Sequence, residues 1–305
     1  MLSERDELLK KIRDFFAAKN VLEVETPLLC NSTITAPYLH SFSTKCNLPG
    51  RAKQPQTLYL QTSPEFAMKK LLANGSGDIY QICKAFRDEE RGKLHSPEFT
   101  ILEWYRIDFD HHKLMDEMDE LLQFTLNTAT AERFSYAEIF AKYLQINCFT
   151  ATTNDLMTCA KKNGFKDTEI FAEEDHDTWL QILLTHFIEP HLGKTVPAFI
   201  YDYPPSQAAL AKIRNNSPKV AERFEVYING IELANGFHEL NNETEQRERF
   251  LHDLKMRQEL GLPQIPLDEE FLKAVGKLPN CSGVALGVDR LLLLLTKANS
   301  LSEIL

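Results

Sequence analysis

The stretch Phe86–Tyr105, "FRDEERGKLHSPEFTILEWY", sets an arginine at the end of one alternating run and an aromatic, acids and a phenol on the next. Residues two apart on a strand share a face. Arg87 and Glu89 then point one way, and Phe99, Glu103 and Tyr105 share a face across the loop Arg91–Ser96. A guanidinium suits bidentate contact with phosphate or carboxylate oxygens. An aromatic beside it can stack on a base, and acids with a phenol can take an ammonium. A solvated sheet face carries the same residue types, so this stretch alone leaves both readings open.

A second stretch, Arg223–Phe237, reads "RFEVYINGIELANGF". Asn229-Gly230 is a strong local signal for a two-residue type I′ hairpin turn. That turn sets Tyr227 opposite Glu232 and makes Glu225 the diagonal neighbour of Glu232, roughly 5–8 Å away between β-carbons. Two like charges so placed repel unless a cation lies between them. Mg²⁺ suits the arrangement, because it takes one or two carboxylates and fills its other positions with phosphate oxygens and water. The alternative is that Arg223 or Lys219 neutralises the pair. Asn235, Phe237 and Glu239 alternate on one face but out of phase with Glu232 in a regular strand. A bulge near Ala234–Gly236 would bring both sets to one side.

The third stretch, "GVALGVDRLLLLL", is a strand feeding a helix. Gly283 and Gly287 permit close backbone approach, and Arg290 in the first helical turn can stack on a base or contact a phosphate. Neither G-x-x-x-x-G-K-[ST] nor a G-x-G-x-x-G after a strand is present, so a bound nucleotide would lie on an antiparallel sheet.

The elements that must position these residues alternate along the chain. Residues 3–19 pattern as an amphipathic helix capped by Ser3, with Leu8, Ile12 and Phe15 on one face. "VLEVETPLL" reads as a strand broken by Pro27, placed at an edge or interface. "TLYLQTSPEFAMKKLLANG" reads as a strand, a cap at Ser63-Pro64 and a helix ended by Gly75. Residues 112–127 and about 150–195 read as mainly helical, the latter as an insertion in a single domain spanning 1–305. The order of elements predicts an α+β fold, a mostly antiparallel sheet flanked by helices. His111-His112 reads as a solvated helix start, and His176, His186 and His191 as surface or packing residues.

Bulk properties narrow the class. The 305 residues carry a net charge of -10, which argues against non-specific nucleic-acid binding through overall charge. Six cysteines lie without any C-x-x-C pair, as expected of reduced thiols in a cytoplasmic protein. The charged start "MLSERDELLKKIRDFF" has no apolar signal core. The longest apolar run, Leu291–Leu295, is too short for a bilayer.

Together, "VLEVETPLL", "FRDEERGKLHSPEFTILEWY" and "GVALGVDRL" resemble motifs 1, 2 and 3 of a class II aminoacyl-tRNA synthetase, over essentially the whole chain. "SPEFAMKKLL", "PEFTILEWY" and "GIELANGFHEL" are most similar to the lysyl-tRNA synthetases. The chain starts at the helix before motif 1, so the family's N-terminal anticodon-binding domain is expected to be missing. The resemblance implies ATP as co-substrate, Mg²⁺, (R)-β-lysine or lysine, and transfer to a lysine side chain of elongation factor P. The alternatives are aminoacylation of a tRNA or tRNA-like RNA, against which the acidic net charge and the expected lack of that domain weigh, and a non-catalytic binding paralogue, against which the presence of Arg87, Glu225, Glu232 and Arg290 weighs. It implies a homodimer through motif 1 and no membrane partner. Arg87 and Arg290 would be catalytic, with Arg87 on the α-phosphate and the amino-acid carboxylate. The nucleotide would also meet Asp88, Glu89, His95, Ser96, Phe99, Glu232, Leu233 and Gly287, Phe99 and Arg290 flanking the adenine. Glu225 and Glu232 match the family's metal pair. Ser63, Pro64, Glu65, Glu103, Tyr105, Asn235, Phe237, Glu239 and Ala285 match the amino-acid pocket. Ala234 and Ala285 stand where lysyl-tRNA synthetases usually have Gly. Their methyl groups reshape the pocket and suit an isomer whose amino group sits one carbon further along.

Overall fold

The amphipathic pattern folds as α1 (Leu2–Ala18), which buries Leu8, Ile12, Phe15 and Phe16; Ser3 lies inside the helix rather than capping it, its hydroxyl donating to the Glu4 carboxylate. Phe16 stacks on Tyr80 at 4.5 Å and meets the edge of Trp104, so the apolar stripe docks on sheet aromatics. The computed structural model describes residues 2–47, 55–88, 90–171 and 173–304. Contacts divide the chain into one unit of Met1–Phe109 with Leu240–Leu305 and a second of Asp110–Glu239.

In the first unit, α1 is followed by β1 (Leu22–Glu23), β2 (Leu29–Cys30), β3 (Ser43–Cys46), β4 (Gln56–Leu60), α2 (Glu65–Ala73), β5 (Ile79–Phe86) and β6 (Glu98–Ile107). The stretch around Pro27 is not one strand. β1 pairs parallel with β5, whereas β2 pairs antiparallel with β4 in a separate three-stranded sheet. Proline supplies no ladder donor, and the chain changes sheets there. Ser63 does not cap α2 in the usual way. The N-cap position is Pro64, and Ser63 Oγ accepts from the Glu65 amide at 3.1 Å.

The second unit holds α3 (His111–Leu126), β7 (Glu132–Ser135), α4 (Tyr136–Leu144), α5 (Thr153–Lys162), α6 (His176–Leu183), β8 (Ala198–Tyr203), β9 (Ile213–Arg214), β10 (Val220–Ile228) and β11 (Ile231–His238). The chain then returns to the first unit with α7 (Glu243–Glu259), α8 (Glu269–Val275), β12 (Cys281–Gly287) and α9 (Val288–Thr296). Capping is local and explicit: Ser135 and Thr152 form capping boxes with Glu138 and Asp155.

Antiparallel pairing dominates both units. β6 lies between β5 and β12 in the first, and β10 between β8 and β11 in the second. Met68, Leu72, Ile79, Tyr105, Leu278 and Cys281 form a core beneath the first sheet. A larger core around Tyr136, Phe140, Trp179, Leu183 and Tyr203 fills the second unit. Leu291, Leu292 and Leu293 of α9 are buried as core residues. The histidine pair divides: His112 is exposed as expected, whereas His111 is buried, because the start of α3 lies against charged groups of β8 to β11. His176 and His186 bond to backbone carbonyls, and His191 stacks on Tyr143. Among the described residues no helix is long and apolar enough to cross a membrane.

Candidate active site

In the first unit, Glu103 on β6 faces Gln81 of β5 on one side and Ala285 of β12 on the other. Opposed residues of an antiparallel pair project to the same face, so Ala285 places its methyl group beside the Glu103 carboxylate. Glu103 is buried, with Oε2 accepting from Ser63 Oγ and Oε1 from the Tyr105 hydroxyl, both at 2.6 Å. Burial first, and the charge of Glu65 second, push its carboxyl up to about 7. Glu65, on the first turn of α2, pairs with Lys69 one turn on at 2.6 Å. Lys69 is a fully buried lysine that the sequence reading passed over, although its i,i+4 spacing from Glu65 marks the pair. Two carboxylates and one ammonium leave this cluster with one net negative charge when both acids are ionised. That is the complement of a single ligand ammonium, which is costly to bury unpaired.

Beyond the end of β5, Arg87 donates to the Thr62 carbonyl and to Glu90, each at 3.4 Å, and lies 5.0 Å over the Phe99 ring. Asp88 is exposed, and its amide donates to the His40 carbonyl; Glu89 lies outside the described residues. The loop closes with a bridge between Gly92 and His95, and Ser96 is half-buried just before β6. Arg290 donates to His95 Nε2 at 2.9 Å and to the Leu94 carbonyl at 3.3 Å. Burial, then the neighbouring Arg290, lowers the His95 pKa. Arg290 owes its place to Asp289, whose buried carboxylate accepts from the Thr100 amide and from Arg5, both at 2.6 Å. Gly287 is the residue from which α9 starts, its α-carbon facing the Arg290 side chain. Arginine and phenylalanine thus stand in cation–π contact at the mouth of the motif 2 loop, with a histidine–arginine pair tying that loop to α9.

In the second unit the Asn229-Gly230 turn forms as read, both residues at positive φ. The register slips once: Tyr227 faces Glu232, but Val226 faces Ala234 and Glu225 faces Asn235. Leu233 is therefore the bulged residue, one position before the segment expected to carry it. The slip puts Glu232 in phase with Asn235 and Phe237, so they share a face with Arg223, Glu225 and Tyr227. Glu239, two residues past Phe237, is buried and bridges Ala211.

Glu225 is the best-held acid of this group. Arg223 pairs with its Oε1, and the hydroxyls of Tyr203 and Tyr227 donate to Oε2 at 2.6 and 2.5 Å. Arg223 also donates to Asn235 and lies over the Tyr203 ring. A third acid, unread in the sequence, stands close by: Tyr227 OH lies 3.4 Å from Glu189 Oε1. Desolvation, then the charges of Glu225 and Glu232, pushes the Glu189 carboxyl up to about 7. Its position is set by packing. A β-carbon on Gly230 would come 3.0 Å from the Glu189 carbonyl, and one on Gly193 would clash with the Tyr227 carbonyl at 2.3 Å. Three acids against one arginine leave this cluster negative, and its oxygen donors fit a hard divalent cation. A carboxylate offers about four lone-pair sites, so three donors on Glu225 leave one for a metal.

Antiparallel strands flanked by helices, with arginines and buried acid clusters along them, are the frame of a synthetase-type catalytic domain. The chain belongs to the class II tRNA synthetases (D, K and N), whose family model matches residues 1–305. It is 54% identical over 294 residues to a Vibrio cholerae serotype O1 protein named elongation factor P–(R)-β-lysine ligase, covering 96% of this chain and 90% of that one. Relatives of the same name from Vibrio vulnificus and Salmonella paratyphi B are 51% and 49% identical, over 99% and 100% of this chain and 94% and 93% of theirs.

Proposed function

We propose that this chain is an ATP-dependent ligase that activates (R)-β-lysine, or lysine, as an acyl-adenylate and transfers it to a lysine side chain of elongation factor P. The relatives named for that reaction, at about half identity over nearly full length, support the substrate assignment. The observation that carries the chemistry is the buried Glu65–Lys69–Glu103 cluster, whose single residual negative charge suits one substrate ammonium.

In the first step the amino-acid carboxylate oxygen attacks the α-phosphorus of ATP, the bond to the β-phosphate bridging oxygen breaks, and pyrophosphate leaves. Positioning and charge stabilisation are what such a displacement needs, without a protein nucleophile. Arg87 binds the α-phosphate and the carboxylate, exchanging its contact with Phe99 for the ligand. Phe99 and Arg290 take the adenine between them, while Asp88, Glu89, His95, Ser96, Leu233 and Gly287 complete the nucleotide contacts. Ser63, Pro64, Glu65, Glu103, Tyr105, Asn235, Phe237, Glu239 and Ala285 hold the amino acid. Glu225 and Glu232 would hold Mg²⁺, which offsets charge on the phosphates. In the second step the partner's lysine nitrogen attacks the acyl carbon, an amide forms, AMP leaves and the amine loses a proton. Exposed Leu22, Leu28 and Leu29 beside Pro27 support a homodimer, and six unpaired cysteines a cytoplasmic setting.

The test is ATP–pyrophosphate exchange with α-lysine and both enantiomers of β-lysine, followed by the intact mass of elongation factor P. Exchange with (R)-β-lysine and one added lysyl mass on the factor are the expected results. Transfer to tRNA alone would replace this reading with aminoacylation, and exchange with no amino acid would end it.

A further inference from the structure

Behind the face of β11 that carries Asn235 and Phe237 lies a second set of charged groups. His238, next along the strand, points to the other side, where its Nδ1 donates to Glu222 Oε2 at 2.5 Å. Glu222 accepts from Arg214 at 3.3 Å, Arg214 also pairs with Asp202, and Asp202 Oδ1 lies 3.2 Å from His111 Nε2. Four strands and the start of α3 thus meet in one chain of polar contacts. His111, Glu222 and His238 bring ligand atoms within 4.8 Å of one another, a spacing that a transition metal could use. Arg214 already lies on both acids, however, and its charge opposes a cation there.

The network sits where the backbone ladder stops. Pairing of β10 with β11 runs from Ile228↔Ile231 to Arg223↔Phe237. At the next two residues the Lys212 backbone intervenes, its carbonyl accepting from the Glu222 amide at 2.9 Å and its amide donating to the His238 carbonyl at 2.8 Å, while the side chains of Glu222 and His238 join directly. Phe237 and Glu239 flank His238, so whatever fixes His238 fixes the strand end from which both of them project to the opposite face.

We propose that His238 is a positioning residue for amino-acid binding, its side-chain bond to Glu222 clamping the strand end across the Lys212 backbone and holding Phe237 and Glu239 in place. The inference rests on the reading above that those two residues hold the amino acid. A charge-assisted bond at a poorly solvated strand end is stronger than a neutral one, and displacement of pocket groups by an ångström is felt strongly in substrate binding.

His238→Leu removes the donor, His238→Asn keeps one near the Nδ1 position, and Glu222→Gln weakens the acceptor. In ATP–pyrophosphate exchange, His238→Leu should raise the amino-acid KM about tenfold, with the ATP KM and kcat changed less than about threefold; His238→Asn should restore most of the loss. Hydrogen exchange of the β11 amides should quicken in His238→Leu and not in His238→Asn. If His238→Leu does not fold, Glu222→Gln carries the same comparison with a smaller rise. Equal rises in both KM values, an unchanged amino-acid KM, or stoichiometric zinc bound through His111 and His238 would each overturn the proposal. A wild-type chain inactive with every amino acid would instead fail the functional reading, and hydrogen exchange alone would then decide whether His238 holds the strand.

Discussion

Two buried acid clusters, one in each unit, are built alike and balanced differently. Around Glu103, two carboxylates share one lysine, and the acid without a cation is held by the neutral hydroxyls of Ser63 and Tyr105. Around Glu225, three carboxylates share one arginine, and the acid with the cation also receives both tyrosine hydroxyls. In each cluster one carboxyl is pushed up to about 7, Glu103 in the first and Glu189 in the second. The residual charge differs, about one in the first and more than one in the second. The built-in cation therefore does more than relieve repulsion: it sets how much positive charge a ligand must bring. The first cluster suits an ammonium and the second a dication.

The comparison breaks most readily at Glu232. Glu232→Gln should lower the rate of ATP–pyrophosphate exchange by roughly a thousandfold while leaving the fold intact, because charge stabilisation on the phosphates is lost. A loss below about tenfold would mean that the second cluster is not the one that needs a dication. Lys69→Met tests the first cluster through stability. It strands Glu65 beside Glu103 in a site where the lysine is fully buried. Removing one partner of a buried pair should cost about 3 kcal/mol, or roughly 6 °C in thermal unfolding. An unchanged melting temperature would show that solvent, rather than Lys69, compensates Glu65.

Local chemistry in these clusters was legible from the chain, and long-range placement was not. The Asn229-Gly230 turn depends on two adjacent residues and forms as read. The need for a bulge followed from the phase conflict between Glu232 and Asn235. Its position did not, because any residue of that stretch could absorb the slip, and the buried side of Leu233 decides it. Motif 1 reads as a strand broken by Pro27, yet nothing in it tells that β1 and β2, on either side of the break, join different partners distant in sequence. His111 at a helix start reads as solvated until Asp202, Glu222 and His238 are brought beside it. Glu189 carries no motif at all; its place depends on Gly193 and Gly230 allowing two backbones to touch. Lys69 was within reach, one turn beyond Glu65, and needed only the question of what neutralises a buried acid pair.

The smallest expected effect sharpens the comparison through pH. Glu103 has its folded pKa raised from 4.5 to about 7. The folded chain then keeps a proton that the unfolded chain releases, so stability from this group falls as pH rises from about 4.5 to about 7 and stays low above it. The displacement corresponds to about 1–3 kcal/mol for a fully buried group. Wild type should therefore lose more thermal stability between pH 5 and pH 8 than Glu103→Gln does. Glu189 titrates in both proteins, so the difference between their slopes isolates Glu103. Amino-acid binding should run the other way: the ammonium needs Glu103 ionised, so its KM should rise as pH falls below about 7 in wild type. Identical pH slopes in the two proteins would place the uncompensated charge of the first cluster on Glu65 instead, and the matching of one carboxylate to one ammonium would have to be redrawn around that residue.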